Sequence, residues 1–150
     1  IRSLPLEQIV KPAVRKYAPM FISKKLSLEM GSLTATVLTD EKWAQFIVEQ
    51  ILSNSLKYTR IGSIRIWQKD PAALVIEDTG IGIDPADIPR LGERGFTGYN
   101  GRLDKKSTGI GLYLCREISR RLSHTLTIES EPGKGTRVTI DFATRQVQAE

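Results

Sequence analysis

Apolar residues at Ile9, Val10, Ala13, Val14, Tyr17 and Phe21 recur with the spacing of a helix over about residues 6–22. The first residues of the chain read as part of that helix. Residues 25–30 (KLSLEM) alternate between apolar and polar, and Gly31-Ser32 interrupts them. Residues 34–38 (TATVL) follow as a second short run, so the pair predicts a hairpin. Asp40 is placed to cap a second helix, whose stripe is Trp43, Phe46, Ile47, Gln50, Ile51 and Ser55 and which runs to about Tyr58. Gly62 closes that unit. Residues 63–68 (SIRIWQ) alternate and residues 73–77 (ALVIE) are a short apolar run, a second hairpin about Asp70-Pro71. Helical spacing returns at Leu112, Ile118 and Leu122. Residues 125–130 (TLTIES), a Pro132-Gly133-Lys134-Gly135 turn and residues 137–142 (RVTIDF) form a third hairpin.

Three main helices and about six strands, with hairpins between helices, predict an α+β fold. The expected form is a two-layer α/β sandwich, its mixed, mostly antiparallel sheet covered on one face by the helices. A doubly wound parallel sheet would need a helix between nearly every strand pair. With 150 residues, 40% of them apolar and 26% charged, the chain can bury a core as one domain. That domain is expected over residues 1–143, with a polar tail at 144–150 that frays. One cysteine, Cys115, excludes a disulfide framework and a cysteine-rich zinc site, and reads as a small buried apolar residue. The net charge of +5 is spread over Lys24, Lys25, Arg102, Lys105, Lys106, Arg116, Arg120 and Arg121. It reads as a solvated face, without the clustered cations and interleaved exposed aromatics of a nucleic-acid surface. No apolar run approaches the ~18 residues of a membrane span, and no signal peptide is visible. The opening on Ile1 predicts a piece of a longer protein.

Between residues 80 and 108 the periodicity fails, and Gly80, Gly82, Gly92, Gly95, Gly98 and Gly101 crowd together with Pro85 and Pro89. A long glycine-dense stretch inside a compact domain points to function. Three segments there and nearby carry candidate chemistry. In the second helix, Gln50 and Asn54 lie one turn apart on one face, where their amide oxygens suit a hard cation such as Mg²⁺, and Lys57 can reach a phosphate. The alternative is a polar face in water. Asp78-Thr79-Gly80-Ile81-Gly82 follows an apolar strand. There an acid can accept from a ligand donor while the glycines let a ligand approach; the alternative is a capped tight turn. Ser107-Thr108-Gly109-Ile110-Gly111-Leu112 opens a helix, whose N–H groups and dipole favour phosphate. It matches neither the dinucleotide fingerprint nor a Walker loop. The net-positive segment before it, with Arg90, Arg94, Arg102, Lys105 and Lys106 against Glu93 and Asp104, fits a triphosphate lid.

In this order the segments resemble the catalytic, ATP-binding domain of sensor histidine kinases. Its superfamily includes type II topoisomerases, a heat-shock chaperone and mismatch-repair ATPases, and its fold is the Bergerat-type sandwich. Asn54 with Lys57 and Tyr58 resembles the N box, and Asp78-x-Gly80-x-Gly82 the first glycine box. Phe96 resembles the F box, Thr108-Gly109-x-Gly111-Leu112 the second glycine box, and Thr136 the hydroxyl near the adenine-binding acid. The resemblance implies ATP and Mg²⁺ as cofactors. It implies Asn54 and Gln50 facing the metal, Lys57 on phosphate, Tyr58 near adenine, and Asp78 accepting from the adenine amino group. Gly80 and Gly82 would admit the base, Gly109 and Gly111 would start the phosphate-binding helix, and Phe96 with the lid would close over the nucleotide. Arg94-Gly95-Phe96-Thr97-Gly98-Tyr99-Asn100-Gly101-Arg102 is similar to the lid of Gram-positive kinases that sense envelope stress or antimicrobial peptides beside an ABC transporter.

The resemblance further implies γ-phosphate transfer to a histidine on a dimerisation domain that this chain lacks, and relay to a response regulator. The domain would then be the cytoplasmic part of a membrane-anchored parent, with no direct membrane or nucleic-acid contact of its own. Hydrolytic members of the superfamily carry a Glu four residues before the Asn. Gln50 stands there and cannot take a proton, and Glu49 lies on another face of the helix, which favours transfer over hydrolysis. The rival readings are an anti-sigma-type serine kinase, another ATPase of the same fold, or a degenerate nucleotide-binding module. His124 reads as a surface turn residue rather than a phosphoacceptor. Trp43 and Trp67 read as core or half-buried anchors, and Arg116, Arg120 and Arg121 as a solvated helix face.

Overall fold

A computed structural model describes residues 1–84, 86 and 110–143. Their elements run β1 (Arg2–Pro5), α1 (Leu6–Lys24), β2 (Ser27–Met30), β3 (Thr36–Thr39) and α2 (Glu41–Tyr58). After these come β4 (Ser63–Lys69), β5 (Ala73–Asp78), α3 (Ile110–Arg121), β6 (Thr125–Glu131) and β7 (Gly135–Asp141). Five strands form one sheet in the order β2-β4-β5-β7-β6, with β2 parallel to β4 and the other pairings antiparallel. The expected two-layer α+β class therefore holds. Among the described residues no helix is long and apolar enough to cross a membrane.

The two faces of the sheet follow from the period-two alternation of its strands. Ile64 and Ile66 of β4, Leu74 and Ile76 of β5, and Val138 and Ile140 of β7 are buried in one cluster with Ile9 and Val10 of α1 and Ile47, Ile51 and Leu52 of α2. The other face carries a row of alternating charge, one residue from each strand. The register aligns Glu29, Arg65, Glu77, Arg137 and Glu129. Arg65 contacts Glu29 at 4.0 Å and Glu77 at 3.4 Å, and Arg137 contacts Glu77 at 2.8 Å and Glu129 at 3.7 Å. Half-buried Trp67 lies beneath both guanidinium groups, 4.8 Å from that of Arg65 and 5.7 Å from that of Arg137.

Asp40 caps α2 as expected, its Oδ1 accepting from the Trp43 N–H at 3.0 Å. The buried stripe of α2 is Ala44, Ile47, Val48, Ile51, Leu52, Ser55 and Leu56. It is centred about one residue further round the helix than the sequence pattern placed it. Trp43 is 45% exposed, not a core anchor. α1 supports the opposite edge of α2: Lys16 pairs with Glu49 at 2.9 Å, and the Lys24 ammonium donates to the carbonyl of Leu56.

The hairpins about Asp70-Pro71 and Gly133 form, but the one expected about Gly31-Ser32 does not. β2 pairs in parallel with β4, and Gly31 extends that pairing by donating to the Ile66 carbonyl at 2.8 Å. β3 instead pairs with β1 in a separate two-stranded sheet. The opening residues are thus a strand, not helix, and α1 starts only after Pro5, where the Leu6 N–H donates to the Ala35 carbonyl at 2.8 Å. The seventh described strand is this β1, which is four residues long and has little pattern to show.

His124 is also not on the surface: it is 5% exposed. Ser123 takes a left-handed conformation (φ 62°), and the His124 N–H closes back on the Ser119 carbonyl at 2.8 Å. This helix ending turns the imidazole inward. There its Nε2 meets Thr39 Oγ1 at 2.8 Å and its ring stands edge-on to Phe142. Arg116 is half-buried rather than fully solvated, while Arg120 and Arg121 are exposed. Cys115 is fully buried, and burial pushes its thiol up to about 12.

Burial pushes His124 below its usual value of 6.5, with the Asp141 charge opposing. The unfolded chain therefore binds this proton more readily than the folded one. The stabilising contribution of neutral His124 is complete above about 6.5 and is lost as pH falls through the folded value. Melting temperature is expected to drop between pH 7.5 and 5, and His124→Gln to flatten that drop. An equal slope in the variant would remove the assignment.

Candidate functional site

Leu74, Ile76 and Asp78 alternate on the helix-facing side of β5, at 0%, 1% and 7% exposure. A carboxylate thus continues a row of core aliphatics. Its neighbours in register are Ile64 of β4 and Thr136 of β7. Oδ1 of Asp78 accepts from the Gly80 N–H at 2.9 Å and from the Thr136 N–H at 3.2 Å. Burial raises its pKa; hydrogen bonds from Gly80, the Ser55 hydroxyl and Thr136 pull it back, and the charge of Glu77 adds slightly to the rise.

Ser55 was placed on the apolar stripe of α2 without a role. It is 5% exposed and its hydroxyl serves Asp78. The signal in the sequence is a hydroxyl residue set among aliphatics at buried helical positions. Ser130 was missed altogether. Its hydroxyl accepts from the Ile83 N–H at 2.8 Å, donates to the Gly135 carbonyl at 2.7 Å, and lies 2.8 Å from Thr136 Oγ1. It fastens the segment after Asp78 to the β6–β7 hairpin, and no local pattern announces that contact.

The same segment is fastened at its other end to α2 and β4. Ile81 N–H donates to the Tyr58 carbonyl at 3.1 Å, and Thr79 Oγ1 accepts from the Ser63 N–H at 3.0 Å. Two glycines are required here by close approach. A Cβ on Gly80 would lie 2.5 Å from the Tyr58 carbonyl oxygen, and one on Gly82, at φ +78°, would lie 2.0 Å from that of Glu131. The structure accordingly gives both glycines a packing reason independent of any ligand.

Gln50 and Asn54 are half-buried one turn apart on α2, beside its buried stripe; Tyr58 is half-buried and Lys57 exposed in the last turn. Ser55, next to Asn54 in the chain, lies on the buried stripe and hydrogen-bonds Asp78 beneath the helix. Gly111 and Leu112 fall in the first turn of α3, which packs on α2 and β6. Phe96, Thr108, Gly109, the expected lid and the tail at 144–150 lie outside the described residues. Among the described residues no three His, Cys, Asp or Glu side chains cluster as a metal site. The amide oxygens of Gln50 and Asn54 fit Mg²⁺ as partial donors, since that ion keeps several waters and shares its shell with phosphate.

A family profile described as histidine kinase-, DNA gyrase B- and HSP90-like ATPase matches residues 39–146. The chain belongs to this ATPase family. It is 34% identical to the sensor histidine kinase YxdK of Bacillus subtilis (strain 168) over 97% of its own length and 46% of that protein. It is 34% identical to the sensor protein BceS of the same organism, over 97% and 44%. It is 42% identical to the sensor protein kinase GraS of Staphylococcus aureus (strain JH1), over 71% and 32%. These are sensor kinases of Gram-positive bacteria, the group to which the lid sequence is similar. The chain spans about half the length of the first two.

Solved structures share the fold. The catalytic domain of histidine kinase ThkA gives a TM-score of 0.79 at 15% identity, covering 95% of this chain and 94% of that one. The mycobacterial sensor histidine kinase MprB gives 0.75 at 22% identity, with 93% and 95% covered. Full-length ShkA, solved in complex with AMPPNP, gives 0.77 at 19%, with 94% and 31% covered. In this ATPase domain, Asp78 stands at the end of the strand that runs down the middle of the sheet.

The raised pKa of Asp78 has a consequence for stability. The folded chain holds a proton on this carboxyl more readily than the unfolded chain, whose value is near 3.8. Its contribution to stability is greatest below that value and is lost as pH rises through the folded one. Asp78→Asn, which keeps an acceptor oxygen, is therefore expected to raise the nucleotide-free melting temperature at pH 7. The gain should shrink as pH falls towards 4, and a lower melting temperature at pH 7 would contradict it.

Proposed function

We propose that this domain binds Mg-ATP and donates the γ-phosphate to a histidine on a separate dimerisation and phosphoacceptor domain, for relay to an aspartate of a response regulator. The carrying observation is the placement of Asp78: a buried carboxylate at the end of a core strand, oriented by two backbone N–H groups and Ser55. A carboxylate offers about four acceptor sites, so these donors leave capacity for the amino group of adenine. Such a group is worth keeping in a core only where a ligand repays its burial. Thr136, whose N–H orients Asp78, supports the same pocket from β7. Phe96, Thr108 and Gly109 are proposed to act as the resemblance implies.

Asn54 and Gln50 would hold Mg²⁺ through their amide oxygens, and Lys57 would add a positive charge for phosphate. The ion, when bound, neutralises charge on the phosphates. The N–H groups at the start of α3 favour the same anion. Transfer forms a bond from phosphorus to an imidazole nitrogen as the bond to the departing ADP oxygen breaks; the chain's task is positioning and charge stabilisation. Gln50 supplies no general base for water, so ATP is held for an acceptor rather than hydrolysed. Sensing, and any contact with an ABC transporter, are assigned to the rest of a membrane-anchored parent in which this domain is cytoplasmic.

Mg-ATP or Mg-ADP at about 100 times its dissociation constant should stabilise the domain by ~2.7 kcal/mol, a shift of several degrees. Mg-GTP should give no shift, and Asp78→Asn should abolish the response to ATP. Absence of a shift with every nucleotide at millimolar concentration would remove the reading and leave a degenerate interaction module. Gln50→Glu should raise ADP release without acceptor, towards the ~10²-fold that a positioned base contributes. An unchanged rate would show that Gln50 does not set the choice between transfer and hydrolysis.

A further inference from the structure

On the helix-facing side of the sheet, β5, β7 and β6 carry a row of polar side chains beyond two rows of aliphatics. The register aligns Leu74, Ile140 and Leu126 in one row and Ile76, Val138 and Ile128 in the next. The row after these is Asp78, Thr136 and Ser130. Neighbours in such a row stand ~5 Å apart at Cβ. Asp78 is buried, and Thr136 and Ser130 are half-buried. A hydroxyl has one proton and two lone pairs, and Ser130 uses all of them. Its proton goes to the Gly135 carbonyl at 2.7 Å, because a carbonyl can only accept. One lone pair takes the Ile83 N–H at 2.8 Å. The remaining contact, 2.8 Å to Thr136 Oγ1, is therefore a hydrogen bond that Thr136 donates to Ser130. The Thr136 hydroxyl then has its proton engaged and only lone pairs to offer. Asp78, when ionised, also only accepts. This end of the row presents acceptors alone to a ligand.

We infer that Ser130 is a positioning residue for base recognition: it holds Thr136 as an acceptor, so that the site takes a purine with a 6-amino group and rejects one with a 6-oxo group. The inference rests on the nucleotide-binding reading above and deepens it. An amino group has two protons to share between Asp78 and Thr136. A 6-oxo group sets lone pairs against lone pairs and leaves the acceptors it meets unpaired, which is how a polar site rejects a near-isosteric ligand. Without the Ser130 hydroxyl, the Thr136 proton is released. The hydroxyl can then turn about its Cβ–Oγ1 bond and donate to a 6-oxo group. Ser130 thus acts through Thr136 rather than on the base. Its bond to the Ile83 N–H matters for the same reason, since it fills the lone pair that would otherwise leave the direction of the Ser130–Thr136 bond open.

The test compares Mg-ADP with Mg-IDP, a 6-amino against a 6-oxo purine, by titration calorimetry on this chain. The unsubstituted chain is expected to prefer ADP by at least ~100-fold. Ser130→Ala should cut that preference about 10-fold, the scale of one mispaired buried polar group. Ser130→Thr, which restores the hydroxyl, should restore the preference. In a Thr136→Val background, Ser130→Ala should leave the preference where Thr136→Val alone sets it. Ser130→Cys, close in size but a weak donor, takes the place of Ser130→Ala should that variant not melt cooperatively. Equal weakening of both nucleotides by Ser130→Ala, with the preference intact, would overturn the inference and make Ser130 a brace for residues 79–83. An undiminished effect of Ser130→Ala in the Thr136→Val background would also overturn it, since Ser130 would not then act through Thr136. Equal affinity of the unsubstituted chain for ADP and IDP would overturn the inference and leave nucleotide binding standing. Binding of neither would remove the nucleotide reading, and the role of Ser130 with it.

Discussion

The buried carboxylate of Asp78 is the constraint on which the rest of the structure is arranged. It occupies a position that the alternation of β5 reserves for an aliphatic side chain, after Leu74 and Ile76. A charge there is tolerated only with donors aimed at it. The donors come from three directions: the turn at Gly80, α2 through Ser55, and β7 through Thr136. Each then constrains its own element. Gly80 must lack a Cβ because the Tyr58 carbonyl lies against it, and Ser55 interrupts an otherwise aliphatic helix stripe. A buried acid thus explains several residues that core packing alone would choose differently.

α2 is the element that joins this acid to the remaining chemistry. One sector of its surface is buried against the sheet, one edge is held by α1 through Lys16–Glu49 and Lys24–Leu56, and the other carries Gln50 and Asn54. Side chains on a helix anchored along two sides keep their spacing better than side chains on a loop. The segment 79–83 gains comparable order in another way. It has no regular structure, yet the N–H groups of Thr79, Gly80, Ile81 and Ile83 are taken by Ser63, Asp78, Tyr58 and Ser130. Both walls of the candidate site are therefore set before any ligand arrives.

What could be read in the sequence was what is local. The β4–β5 and β6–β7 hairpins, the α2 cap at Asp40 and the Asp78-Thr79-Gly80-Ile81-Gly82 loop each declare themselves within a few residues. β2 and β3 failed because their partners are distant: β4 lies beyond α2, and β1 is a four-residue strand before α1. Helical periodicity placed the stripe of α2 but not its centre. Which side of Trp43 faces inward is decided by α1, α3 and the sheet together. His124 was misread because one left-handed residue, Ser123, redirects the chain, and nothing about a serine advertises that conformation. The candidate chemistry of Asp78, Gln50 and Asn54 was legible from residue type and spacing, while Thr136 entered only through the family resemblance. The supporting hydroxyls of Ser55 and Ser130 became meaningful only once the sheet brought their partners beside them.

The open face of the sheet bears on the same carboxylate. Glu77 is the chain neighbour of Asp78 and points to the opposite side, where its negative charge adds to the pressure on Asp78 to hold a proton. Arg65 and Arg137 flank Glu77 at 3.4 and 2.8 Å, and the flanking arginines are answered in turn by Glu29 and Glu129. Exposed pairs of this kind contribute little individually to stability. Here they set two guanidinium groups beside the one acid next to Asp78, whose pKa is raised chiefly by burial and least by Glu77. The row of charges on the open face and the buried acceptor on the helix face are therefore parts of one arrangement, coupled through two adjacent residues of β5.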